Sequence, residues 1–307
     1  YPPGTRQNAW QQRDWKIDDW GLEGSVLTVR ESLTKLKSQC VIWSDTPALD
    51  AQVLLSHICN KERAWVLAHP TKKLTGEQQS ALNAVISRIE TGEPLPYILG
   101  HWSFYGLDFK VNSETLIPRP ETELIVEEAL QWLNAHPGRR SVIDVGTGSG
   151  CIAITLAVHI PDLQVTGSDI SLAALNVASI NAENHSLAAR IQFVHADLLP
   201  DNVSSVDLIC ANLPYIPTRT LEGLDIFGRE PSLALDGGPD GLHLIRRLLP
   251  QVERILVPGG LVLLEIEAMQ GEEVLSLAGE FFHKAQIELL SDLSGHNRLI
   301  RIETFAK

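Results

Sequence analysis

The sequence predicts an α/β fold, a largely parallel sheet with helices on both faces, preceded by a small all-helical domain. Three observations carry this expectation. From about residue 141, strand-like apolar runs alternate with helix-like segments. Between residues 25 and 100 the apolar residues recur with a helical period, and a glycine-rich turn joins the first strand of the alternating region to its helix.

Residues 1–24 (YPPGTRQNAWQQRDWKIDDWGLEG) have little aliphatic content and no clear helical stripe, and are read as a leader of unknown role. Ala51, Leu54, Leu55 and Ile58 then fall at i, i+3, i+4 and i+7, as do Leu82, Val85, Ile86 and Ile89, so a helical domain is expected over residues 25–100. The second of these helices has a capping-box start from Thr75 to Gln78, and a stop signal in Gly92 followed by Pro94. Residues 101–118 combine aromatics, alternation and turn residues, and suit a β-hairpin linker. The α/β domain is expected over residues 119–307. Its strands are read in SVIDV, QVTGSDI, IQFVHAD, VDLICAN and GGLVLLEIE, its helices in CIAITLAVHI, LAALNVASINAEN and GLHLIRRLLPQVERIL, with NRLIRIET as an antiparallel edge strand.

Composition narrows the class. With 44% hydrophobic and 21% charged residues the 307-residue chain has material for two cores, and it holds no apolar run long enough to span a membrane. Residues 1–24 lack the apolar segment of a signal peptide, so a cytoplasmic protein with no membrane partner is expected. Cys40, Cys59, Cys151 and Cys210 are widely spaced, which suits reduced core thiols better than disulfides or a zinc site. The histidines, His185 and His195 included, show no metal-ligand spacing, and no metal is expected. Residues 25–100 carry 8 basic and 7 acidic side chains, whereas residues 101–307 carry 14 and 27. A chain this acidic is a poor partner for a phosphate backbone, and no direct nucleic-acid binding is expected.

The candidate site gathers at strand ends, where open α/β sheets place their ligands. In VIDVGTGSGCIA, Asp144, Gly146, Thr147, Gly148, Ser149 and Gly150 lie between a strand and a helix start, a turn that either cradles a ligand or is merely tight. The spacing is G-x-G-x-G, with Cys151 where a dinucleotide fingerprint needs its third glycine, which lowers the NAD reading. The next strand ends in Asp169, placed to accept both hydroxyls of a ribose or simply to be solvated. The third ends in Asp197 and Leu198, where the acid can accept from an adenine amino group and the leucine can cover its face. The fourth ends in Asn212, followed by Leu213, Pro214 and Tyr215, at the reacting end of such a nucleoside.

On these residues the chain resembles the class I S-adenosylmethionine-dependent methyltransferases, and within them the N5-glutamine methyltransferases of peptide chain release factors, the HemK/PrmC family. The resemblance runs from about residue 25 to the C-terminus through LDAQVLLSHI, GEPLPYILGHWSFYGLDFKV, TLIPRPETE, DVGTGSGCIAI, ANLPYIP, EPSLALDGGPDGL, GGLVLLEI and DLSGHNRLI. It implies a Rossmann-like, seven-stranded methyltransferase domain. It also implies S-adenosylmethionine as methyl donor, with S-adenosylhomocysteine as product, held at Gly146 to Gly150, Asp169, Leu198 and Asn212. The substrate glutamine, in the Gly-Gly-Gln motif of a class 1 release factor, would be held by Asn212, Leu213, Pro214 and Tyr215, and the helical domain would recognise that partner. A monomer acting in translation termination is expected.

The family tetrad is usually Asn-Pro-Pro-Tyr, and Leu213 departs from it. A residue before proline is pushed out of the α region, so Leu213 is expected to keep an extended backbone and a free carbonyl. If the Asn212 side-chain oxygen and that carbonyl each accept one amide N–H, the nitrogen presents its π-face to the methyl group and no general base is needed during transfer. LIPRPETE, with Arg119 and Glu121, forms either a wall of this pocket or a linker with a helix start; EPSLALDGGPDG is either a loop over the site or a surface turn. Three other functions stay open: methylation of a ribosomal-protein glutamine, methylation of an exocyclic amine of nucleic acid, and a non-catalytic binding module that retains the fold.

Overall fold

The structure is a computed structural model that describes residues 26–203 and 205–306; the leader expected over residues 1–24 lies outside the described residues. Contacts divide the chain into two compact units, meeting between Ser87 and Arg88.

The first unit is helical. Its elements are α1 (Val29–Cys40), α2 (Pro47–Cys59), the short α3 (Arg63–Ala68) and most of α4 (Gly76–Glu90). Thr28 and Glu31 close a capping box at the start of α1. The box expected before α4 also forms, with Thr75 N–H donating to Gln78 Oε1 at 2.9 Å and Gln78 N–H to Thr75 Oγ1 at 3.2 Å. Ala51, Leu54, Leu55 and Leu82, named by the periodicity, are buried together with Leu36 and Val66.

The second unit begins before residue 100, where the helical domain is expected to end. Gly92, at φ +79°, stops α4 as its N–H reaches the Ile89 carbonyl. Arg88 donates to both Glu93 carboxylate oxygens at 2.6 Å and to the carbonyls of Tyr97 and Ile98. Tyr97, from α5 (Leu95–Leu99), packs with Val111 and Ile117, and its hydroxyl donates to the Thr115 carbonyl. These contacts tie residues 88–100 to the chain that follows. The expected hairpin is β1 (His101–Phe104) and β2 (Leu107–Lys110), joined at Tyr105-Gly106, both at positive φ as a two-residue hairpin turn requires.

The rest is a seven-stranded sheet with helices on both faces. In chain order come α6 (Glu123–Ala135), β3 (Ser141–Val145), α7 (Cys151–His159), β4 (Gln164–Asp169), α8 (Leu172–Asn184), β5 (Ile191–His195), β6 (Val206–Ala211), α9 (Thr218–Leu221), α10 (His243–Ile255), β7 (Leu256–Glu265), α11 (Gly271–Phe281), β8 (Ala285–Ser291) and β9 (Asn297–Thr304). The strand order is β5-β4-β3-β6-β7-β9-β8; β3 to β7 run parallel, and β9 runs antiparallel to both of its neighbours. Alternate residues face opposite layers: Val142, Leu208, Leu263 and Leu299 pack with α6 and α7, while Ile143, Ile209, Leu264 and Ile300 pack with α10 and α11.

One strand expectation is corrected. NRLIRIET is antiparallel but is not an edge: it lies between β7 and β8, and its Leu299, Ile300 and Ile302 are fully buried. An edge strand would leave such residues partly uncovered, and β8, absent from the expected elements, takes that place.

Candidate active site

The strand order reverses between β3 and β6, so the turns after these two strands share one crevice at the carboxyl edge. Gly146, Gly148 and Gly150 in the turn after β3 all have positive φ, at +72°, +56° and +81°. Their surroundings differ. A Cβ on Gly150 would meet Ile154 Cδ1 at 3.0 Å and Ala178 Cβ at 3.2 Å, and one on Gly146 would meet Leu213 Cδ2 at 3.1 Å. A Cβ on Gly148 would meet only the Gly146 carbonyl, at 3.9 Å, so this glycine opens the turn to a ligand.

Two acids hold the turn. Asp144 is fully buried beneath it and accepts from the Thr147 hydroxyl at 2.6 Å and from Ala153 N–H at 3.2 Å, while its Oδ1 accepts from no described residue. Burial pushes the Asp144 carboxyl up to about 6, against those hydrogen bonds. Asp169 accepts from Gly148 N–H and from Ser171 N–H, both at 2.9 Å, and burial raises its pKa also. Each Asp169 oxygen keeps a second lone pair, so this carboxylate can pin the glycine turn and still accept from ribose hydroxyls. Ser149 is buried, and its carbonyl accepts from Asn181 Nδ2.

At the third strand end both expected residues have partners within the fold. Asp197 is paired with Arg247 of α10 at 2.6 Å, and Leu198, at φ +71°, is 7% exposed with its side chain in the core and its carbonyl accepting from Ser168 Oγ. The cation engages one oxygen of the Asp197 carboxylate, which stays half exposed.

After β6, Asn212 Nδ2 donates to the Thr122 hydroxyl at 2.9 Å. Neither Asn212 Oδ1 nor the Leu213 carbonyl accepts from any described residue. Leu213 itself is 5% exposed and anchors the tetrad in the core against Gly146, a packing role that proline at this position would fill with a smaller ring. The Tyr215 hydroxyl donates to Glu265 Oε1 at 3.4 Å, and the Tyr215 carbonyl accepts from Gln270 Nε2 at 2.9 Å.

EPSLALDGGPDG packs on the tetrad rather than forming a detached surface turn. Gly237 N–H reaches the Ile216 carbonyl, a Cβ on Gly237 would meet the Pro214 carbonyl at 2.8 Å, and one on Gly241 would meet the Tyr215 carbonyl. LIPRPETE joins the same wall. Arg119 pairs with Glu230 at 2.5 Å, and the other oxygen of that buried carboxylate accepts from Ile117 N–H at 3.0 Å. Glu121 is exposed in a 3-10 turn (Pro120–Thr122) that leads into α6. Thr122, Glu230, Glu265 and Gln270 are not among the sequence-predicted site residues; Glu265 closes β7 and Gln270 follows it closely, whereas Thr122 and Glu230 lie in the LIPRPETE and EPSLALDGGPDG segments, whose place at the site the sequence leaves open.

The residues fit a cationic nucleoside ligand such as S-adenosylmethionine. Gly148 leaves a cradle that a side chain would fill, Asp169 keeps acceptors beside it, and Asp144, Asp169 and Glu265 bring carboxyl groups to one edge.

A seven-stranded sheet with this order, carrying a glycine turn at its switch point and an acidic end on the adjoining strand β4, defines a class I methyltransferase. Comparisons with known proteins agree. A family model described as the PrmC N-terminal domain matches residues 34–100, and one described as the methyltransferase small domain matches residues 122–223. The release factor glutamine methyltransferase of Moorella thermoacetica is 43% identical over 83% of this chain and 90% of its own. That of Coxiella burnetii is 36% identical over 90% of this chain and 98% of its own. Among solved structures, the hMettl16 catalytic domain aligns with a TM-score of 0.52 at 16% identity, over 75% of this chain and 82% of that one, a likeness of fold alone. The chain belongs to the release factor glutamine methyltransferase family.

Proposed function

We propose that this chain methylates the side-chain amide nitrogen of the glutamine in the Gly-Gly-Gln motif of class 1 peptide chain release factors, in the cytoplasm, with S-adenosylmethionine as donor. The observation that carries the reading is the pair of open acceptors after β6, Asn212 Oδ1 and the Leu213 carbonyl, beside a glycine turn open at Gly148. A primary amide offers two N–H donors on one planar nitrogen, and two fixed acceptors match it.

The donor supplies an electrophilic methyl group on a sulfonium. Everything else falls to the chain. A glutamine nitrogen is a poor nucleophile because its lone pair is delocalised into the carbonyl, so Asn212 and Leu213 fix its plane and expose its π-face. As positive charge develops on that nitrogen, the same two acceptors stabilise it without reorganising. Pro214 and the Gln270 contact to the Tyr215 carbonyl keep the acceptors in place, and the Tyr215 ring would lie against the flat amide. The methylated nitrogen is acidic and loses its proton afterwards, so no general base is assigned.

Two features favour a protein substrate. Residues 101–307 carry 27 acidic against 14 basic side chains, which repels a phosphate backbone. Residues 25–100 are near neutral, residues 34–100 of them match the PrmC N-terminal domain model, and this region would supply a second contact to the partner. The test is labelled methyl transfer to purified class 1 release factor, ribosomal protein, and DNA and RNA oligonucleotides, with mass spectrometry to locate the methyl group. Label on the glutamine of Gly-Gly-Gln, with a lower KM for intact release factor than for a short Gly-Gly-Gln peptide, is the expected result. Label on an oligonucleotide and none on release factor would overturn the reading.

A further inference from the structure

Two side chains of α8 cover the outer edge of the β1–β2 hairpin. In the hairpin Phe104 pairs with Leu107 and Trp102 with Phe109, and Val111 N–H reaches the Gly100 carbonyl at 3.1 Å. The pairs between these, Ser103 with Asp108 and His101 with Lys110, therefore turn their backbone groups outward. On β2 those groups meet α8. Lys110 N–H donates to Asn181 Oδ1 at 2.7 Å, Asn181 Nδ2 donates back to the Lys110 carbonyl at 3.0 Å, and the Asp108 carbonyl meets His185 Nε2 at 2.9 Å. The Asn181 amide thus pairs with Lys110 as a residue of a neighbouring strand would.

Asn181 is fully buried, and Nδ2 also donates to the Ser149 carbonyl at 2.8 Å. Its neighbours fix which end of the amide is which. Reversed, its oxygen would face two carbonyls and its –NH₂ an N–H. Ser149 ends the glycine turn, and Gly150 N–H donates to the Thr147 carbonyl at 2.8 Å, so the peptide plane between Ser149 and Gly150 is held at both its oxygen and its nitrogen. The start of the turn is held by the Ser168 carbonyl, which accepts from Gly146 and Thr147 N–H at 2.8 and 2.9 Å, and its middle by Asp169. Of these anchors, Asn181 is the one that also holds the hairpin.

We propose that Asn181 is a positioning residue for the methyl donor, fixing the end of the glycine turn against the hairpin so that donor binding and the order of β2 are coupled. The inference rests on the glycine turn being the donor cradle. A buried polar group left unpaired is costly, so the three bonds of this amide form and break together. Without Asn181 the Ser149 carbonyl turns toward water in the donor-free protein, and the donor must draw the turn back as it binds.

The test combines hydrogen exchange with and without S-adenosylmethionine, calorimetric titration and steady-state methyl transfer, all on the full chain. In the parent, the donor slows exchange of the Lys110 amide several-fold more than that of Trp102, whose N–H is bonded inside the hairpin. Asn181→Leu, similar in size and without the three bonds, binds the donor roughly three- to tenfold more weakly, the range of one hydrogen bond. It raises the donor KM to match, leaves kcat at saturating donor within about twofold, and loses the donor effect on Lys110. His185→Ala strips the other clamp from β2 without touching the turn; it speeds exchange in the hairpin and leaves donor affinity within about twofold. Parent-like donor affinity in a folded Asn181→Leu of lowered Tm would make Asn181 a packing residue and overturn the proposal. So would a fall in kcat at saturating donor with unchanged donor KM, or a His185→Ala that weakens donor binding as much as Asn181→Leu. If Asn181→Leu does not fold, the parent decides, because equal donor effects on Lys110 and Trp102 sink the coupling. Gly148→Ala runs alongside: if it binds the donor like the parent, the cradle reading fails, whereas a weakened Gly148→Ala with a parent-like Asn181→Leu sinks this inference alone.

Discussion

Alanine at Gly148 and alanine at Gly150 are expected to fail in different ways. Both positions have positive φ, +56° and +81°, so each substitution forces a left-handed backbone at a cost of roughly 1–2 kcal/mol. Gly150→Ala adds a Cβ at 3.0 Å from Ile154 and 3.2 Å from Ala178, an overpacking of roughly 1–3 kcal/mol, for a total of about 2–5 kcal/mol. At Gly148 the nearest atom is the Gly146 carbonyl, 3.9 Å away, and no crowding term is added. For a unit the size of residues 88–307, one kcal/mol shifts Tm by about 2–4 °C. Thermal unfolding should therefore show Gly150→Ala melting well below Gly148→Ala. Calorimetric titration with S-adenosylmethionine should show the reverse ranking of interest: Gly148→Ala places its methyl in the ligand cradle and loses roughly tenfold or more in affinity, about 1.4 kcal/mol. Parent-like affinity in Gly148→Ala would refute the assignment of that glycine to the ligand, and equal melting of the two variants would refute the packing argument for Gly150.

If Asn212 acts as proposed, on charge that develops only in the transition state, Asn212→Ala should lower the single-turnover rate of methyl transfer roughly a hundredfold while S-adenosylmethionine affinity changes little. Arg119→Ala leaves the Glu230 carboxylate buried without its cation and should lower the urea midpoint by roughly 1–3 kcal/mol equivalent, whereas combining it with Glu230→Gln should recover part of that loss. The pH dependence of stability follows from Asp144 and Glu265, which burial raises to about 6 and about 7. Groups raised in the folded state contribute stability that is full below their unfolded values and is lost as pH rises through the folded ones. At most, this amounts to roughly 3 kcal/mol each. Tm should thus decline from pH 5 to pH 8, and Glu265→Gln should flatten the upper part of that decline; a Tm that rises across this window would contradict the burial of these acids.

Local pattern carried much of this protein. The helical period of Ala51 to Ile58 and Leu82 to Ile89, the Thr75–Gln78 box, the hairpin and the five parallel strands all depend on residues within a few positions of one another, where backbone propensity and side-chain period act directly. The glycine turn and the Asn212–Tyr215 tetrad are also contiguous, so they could be placed at strand ends from their flanking runs alone. What the sequence could not determine were pairings across long stretches of chain: Asn212 with Thr122, 90 residues apart, Arg119 with Glu230, 111 apart, and Tyr215 with Glu265, 50 apart. The same holds for the insertion of β9 inside the sheet and for the capture of Asp197 by Arg247. These contacts are set by strand order, which brings distant turns to one edge, and a side chain's partner, burial and proton affinity exist only once that edge has formed.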